Sequence, residues 1–142
     1  MSLETGQVLW LRIRFNNTGK ISATKHPYLI VEINNEYGYC EVAQLDSAKD
    51  KMHKVLMSSN KMVLCKDPQE TVISENGFAQ LDNTFRLELS SELEAYKRTN
   101  DTLTKKRLED VIKAYRKYHT EHEIDENKNV FLSLEEILQL NL

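Results

Sequence analysis

The sequence predicts an α+β chain, mainly β, with an antiparallel barrel or sandwich over residues 5–90 and a helical extension over 91–142. Three observations predict it. Short stretches of alternating hydrophobicity, each ended by a turn signal, recur from Gly6 to Leu89. Beyond Leu89 the apolar residues change to helical spacing. The chain has 142 residues, 40% of them hydrophobic and 29% charged, which suits one domain holding its core without disulfides or metals.

From Gly6 to Phe15, Leu9, Leu11, Ile13 and Phe15 fall on one side and Trp10, Arg12 and Arg14 on the other, as in a half-buried strand. Residues 16–25 read as a polar loop. Pro27 biases His26 toward an extended backbone. Tyr28 to Ile33 is a nearly continuous apolar strand, Asn34-Asn35-Glu36 a turn signal, and Tyr37 to Leu45 the returning strand. Residues 27–46 are therefore expected as a hairpin. Residues 46–60 form a second polar loop, rich in lysine. Short strands are expected at 61–65, 71–74, 78–81 and 84–89, with a turn at Asp67-Pro68. Strands this short, joined by turns, build a small barrel or sandwich.

Ser91 and Glu94 stand at capping-box spacing before a short helix, and Asn100-Asp101-Thr102 signals another helix start. Leu108, Val111, Ile112, Tyr115 and Tyr118 then share one helix face, opposite Lys105, Glu109, Lys113 and Arg116. Ser133 and Glu136 repeat the capping box ahead of Leu134, Ile137, Leu138 and Leu140.

No apolar stretch approaches the roughly 20 residues that span a bilayer, and Met1-Ser2-Leu3-Glu4 lacks the basic and apolar parts of a signal peptide. Cys40 and Cys65 have no CxxC spacing and read as buried thiols of a reducing compartment. A cytoplasmic protein without membrane contact is expected. The net charge of −3 is unevenly spread. Lys49, Lys51, Lys54, Lys61 and Lys66 face only Asp50 within residues 48–66, and Arg12, Arg14, Lys20 and Lys25 face only Glu4 among the first 31 residues. Such asymmetry can create a basic face that attracts phosphates.

The chain has no glycine-rich phosphate loop, no GxSxG and no HExxH. His119 and His122, beside Glu121 and Glu123, lack a third ligand position and read as solvated, so no metal and no cofactor is expected. Trp10, Tyr28, Tyr37 and Tyr39 are either core aromatics or stacking platforms for bases.

The stretch Lys25-His26-Pro27-Tyr28-Leu29-Ile30-Val31 follows a strand and a polar loop. It resembles the MazF/PemK toxin family, in which Arg-Pro precedes an apolar strand. Gly6 and Val8 look like the start of the family's first strand. Val42-Ala43-Gln44-Leu45-Asp46-Ser47 is similar to its second hairpin strand, and Thr71-Val72-Ile73 to Leu81-Asp82 to its later strand pair. The likeness covers roughly residues 5–95. It implies an SH3-like, partly open barrel that pairs as a homodimer, cleaves single-stranded RNA without a metal, and is neutralised by an antitoxin protein covering the substrate groove. By position, His26 replaces the family's catalytic arginine and Asp46 or Ser47 its catalytic Thr/Ser. Ala79 stands where some members carry another arginine.

Metal-free cleavage activates the ribose 2′-hydroxyl, stabilises a phosphorane and protonates the leaving 5′-oxygen. An imidazole can serve as the general acid or base. On this expectation His26 moves the proton, Lys25 supplies the phosphorane's counter-charge, and Asp46 or Ser47 supports them. Asn17, Lys20, Lys49, Lys51 and Lys54 flank the RNA groove. Two alternatives are a catalytically silent barrel of the same fold, binding RNA or protein, and a gyrase-directed toxin of the related CcdB fold.

Overall fold

The computed structural model describes residues 3–15, 21–22, 24–47, 60–63, 77–124 and 128–142. In chain order these hold β1 (Val8–Leu11), β2 (His26–Asn34), β3 (Tyr39–Ser47), β4 (Asn60–Val63), β5 (Gly77–Glu88), a 3-10 helix (Ser91–Tyr96), α1 (Lys105–Glu121), β6 (Asn129–Leu132) and α2 (Leu134–Leu140). The protein is α+β, with its helices after the main strands.

Six strands form one mixed sheet in the order β1-β2-β3-β5-β4, with β6 also on β5. All pairings are antiparallel except β5 with β6. One edge of the long β5 pairs with β3. Its other edge is shared, Gly77–Gln80 pairing with β4 and Thr84–Leu87 with β6. Among the described residues no strand pairing joins β1 to β6, so the sheet is not closed. Side chains approach across that opening instead. Arg14 Nη2 donates to the Phe131 carbonyl at 3.1 Å and Arg14 Nε to Glu136 Oε2 at 2.6 Å. The Arg12 amide donates to Asn141 Oδ1, just past α2, at 2.7 Å.

Period two sorts the strand residues onto two faces. One face carries Leu9, Leu11, Tyr28, Ile30, Cys40, Val42, Phe85 and Leu87, sealed by Leu93 of the 3-10 helix, Val130 and Leu132 of β6, and Ile137 of α2. Burial pushes the Cys40 thiol up to about 12. The other carries Val8, Leu29, Val31, Ala43, Leu45, Ala79 and Leu81, covered by Leu103 and by Val111 and Tyr115 of α1. We call them the Phe85 face and the α1 face. Gly6 holds the α1 side close: its φ is +93°, and a Cβ there would lie 2.8 Å from Leu108 Cδ2. Its amide donates to Ile30 O at 2.8 Å, and its carbonyl accepts from the Leu103 amide at 3.0 Å.

Several expectations hold and others change. The hairpin forms, but Tyr37 belongs to its turn and is 75% exposed. The turn closes through Gly38, at φ +71°, whose amide donates to Asn34 O. The strands expected at 78–81 and 84–89 are one strand. Ala43 pairs with Thr84 but Leu45 with Ala79, so β5 takes up its extra residues as an irregularity rather than a break. Ser90, not Ser91, caps the 3-10 helix, accepting from the Glu92 amide. α1 begins at Lys105, later than the Asn100-Asp101-Thr102 signal, because residue 103 is still bonded to Gly6. Ser133 caps α2 as expected, accepting from the Glu136 amide. β6 was not anticipated: four residues are too few to display a period. The strand expected at 71–74, the turn at Asp67-Pro68 and Cys65 lie outside the described residues.

Candidate functional site

His26 opens β2 and pairs with Leu11 of β1. It is half-buried, and its ring centroid lies 6.5 Å from that of Phe15. The β2–β3 ladder runs from Asn34↔Tyr39 to Tyr28↔Gln44. His26 precedes Tyr28 by the same step by which Asp46 follows Gln44. Alternation therefore sets both on the Phe85 face at one end of the sheet, where Asp46 pairs with Phe78 of β5. Asp46 is half-buried too. The Ser47 backbone pairs with Gly77.

Lys25 does not join them. It is exposed and lines a recess of about 390 Å³ with Trp10, Ala95, Tyr96, Lys97 and Arg98. Trp10 alternates with Leu9 and Leu11, so this recess opens on the α1 side of the sheet, away from the His26 ring. Lys25 and His26 are neighbours in sequence that an extended backbone sends to opposite sides. Asn17, Lys20, Lys49, Lys51 and Lys54 lie outside the described residues. The basic group near the amino terminus is partly spent on structure, since Arg14 pairs with Glu136 and Arg12 Nε donates to Ser22 O at 3.0 Å.

Arg98 is the residue that sequence reading missed. The Arg98 amide donates to Val8 O at 2.9 Å, and Lys97 bridges to Leu9, so this segment lies along the outer edge of β1. The Arg98 guanidinium then sits 5.2 Å from the Trp10 ring centroid. The available signal was the basic pair Lys97-Arg98 directly after a short helix. Trp10 keeps 39% of its surface exposed. Of the other candidate stacking aromatics, Tyr37 is 75% exposed in the hairpin turn. Tyr28 is fully buried, and Tyr39 lies under Arg86 at 4.5 Å, an arginine committed to Glu41.

A second cluster is enclosed between sheet and helix. Glu41 of β3 is fully buried and accepts from Thr84 Oγ1 at 2.8 Å, from Arg86 Nε at 3.0 Å and from the Tyr115 hydroxyl. Asn129 Nδ2 reaches Thr84 Oγ1 at 2.9 Å. Burial, followed by the Glu41 charge, pushes the Tyr115 phenol well above its ordinary range. Burial works to lower the Arg86 guanidinium, but the hydrogen bond and charge of Glu41 outweigh it and raise it. Every arm of this carboxylate is engaged internally, so the cluster fastens α1 and β6 to the sheet.

The His119 and His122 rings are likewise engaged. His119 Nε2 donates to Leu81 O at 2.6 Å, and His122 stacks on Tyr118 at 4.1 Å between centroids. Among the described residues no group of three or more His, Cys, Asp or Glu can hold a metal ion, and no helix is long and apolar enough to cross a membrane. Compared with protein-family models and with curated proteins, the chain matches none.

Proposed function

We propose that the chain is a toxin-type endoribonuclease that cleaves single-stranded RNA where β2 begins and β3 ends, on an SH3-like, partly open barrel paired as a homodimer. One observation carries the reading. His26 and Asp46 share a face and an end of the sheet, immediately before the lysine-rich residues 48–66. His26 takes the proton of the ribose 2′-hydroxyl, whose oxygen attacks phosphorus, and a proton returns to the departing 5′-oxygen. Asp46 orients the ring. Lys25 is not beside His26, so the positive charge at the phosphorane is sought among the lysine-rich residues 48–66, whose lysines act as point charges rather than bidentate forks. The positive charge of residues 48–66 suits an acidic antitoxin.

The displacement of Lys25 from His26 favours a second reading, an RNA-binding barrel of the same fold without catalysis. End mapping separates the two. Incubated with single-stranded RNA in EDTA, the protein is expected to generate 2′,3′-cyclic phosphate and 5′-hydroxyl ends. Saturable binding with no new ends would leave only the silent barrel.

A further inference from the structure

We infer that the recess formed by Trp10, Lys25 and Arg98 is a base-stacking site for single-stranded RNA, on the opposite face of the sheet from His26. This rests on reading the chain as an RNA-acting protein. The indole stands on a strand with 39% of its surface exposed, although the residues flanking it in β1, Leu9 and Leu11, are fully buried. The backbone bonds of Lys97 and Arg98 to β1 hold a guanidinium over that ring. Among the described residues neither Lys25 nor Arg98 has a carboxylate partner, whereas Lys97 is 3.7 Å from Glu94. Two unpaired cations therefore border one accessible aromatic ring, in a recess of about 390 Å³.

That combination fits a nucleotide. A base entering the recess takes the indole face now occupied by Arg98, and the released guanidinium stacks on the base or meets a flanking phosphate. Lys25, which also lines the recess and has no carboxylate partner among the described residues, can meet a second phosphate. Duplex RNA does not fit the chemistry, because its base faces are already stacked on one another. Pro27, paired with Trp10, is the residue next to His26, so one strand passing the end of β2 can reach both places.

Trp10 is the chain's single tryptophan, so its fluorescence reads this recess alone. The probe is a 2′-O-methyl oligouridylate of roughly ten nucleotides, a length typical of single-strand sites; it lacks the attacking hydroxyl and stays intact. The probe carries a dye for anisotropy, and intrinsic fluorescence is read in the same titration. The inference predicts saturable quenching that tracks the anisotropy, little response to a duplex of equal length, and at least tenfold weaker binding for Trp10→Ala with recovery in Trp10→Phe. Arg98→Gln should lower the slope of log affinity against log salt by about 0.7, one single-strand phosphate contact. Binding by anisotropy with no quenching and no effect of Trp10→Ala overturns the stacking site and leaves the RNA reading standing. No binding by either signal overturns both.

Discussion

The two faces of the sheet are stabilised by different chemistry, although the same strands build both. The Phe85 face is sealed by apolar side chains from β6, α2 and the 3-10 helix. The α1 face encloses a fully buried carboxylate, Glu41, with a hydroxyl, a phenol and a guanidinium turned onto it. Each face also buries one tyrosine. On the α1 face the Tyr115 hydroxyl donates to Glu41, whereas on the Phe85 face the Tyr28 hydroxyl has no hydrogen-bond partner among the described residues. The contrast teaches that a buried polar atom stabilises only where its partner is buried with it.

Substitution can break that contrast. Glu41→Ala leaves Thr84 and Tyr115 without their acceptor and Arg86 without its counter-charge, and should cost about 3 kcal/mol in urea unfolding. A figure at the lower end applies because the Arg86 side chain is 42% exposed and keeps part of its hydration. Tyr115→Phe removes one charge-assisted hydrogen bond and should cost about 1.5 kcal/mol. Tyr28→Phe removes a hydroxyl that has no such bond, and should be neutral or stabilise by up to about 1 kcal/mol. Equal losses for the two tyrosine variants would show that the Phe85 face also satisfies its polar atoms.

The apolar side of this architecture was legible in the sequence. Leu9, Leu11 and Ile13 are buried as their alternation requires, and Val111 and Tyr115 form the buried face of α1. The polar side was not. Glu41 lies within an apolar stretch with nothing local to mark it, and its partners stand 43, 45 and 74 residues away at Thr84, Arg86 and Tyr115. β6 was invisible for a related reason, since its register is set by β5 and not by its own four residues. At the candidate site, adjacency misled: Lys25 and His26 are consecutive, and a strand separates consecutive side chains. Asp46 meets His26's end of the sheet through the hairpin register, which the turn at residues 35–38 fixes. Arg98 reaches Trp10 only through the backbone bonds that lay residues 97–98 along β1.

The proposed cleavage and stacking sites lie on opposite sides of one sheet, His26 with Asp46 on one and Trp10 with Lys25 and Arg98 on the other. The most direct measurement compares His26→Ala with the parent protein, following cleavage of single-stranded RNA in EDTA and oligonucleotide affinity side by side. Cleavage should fall at least a hundredfold, in line with the loss of a general acid or base, while affinity stays within about threefold. Unchanged cleavage in the variant contradicts the account.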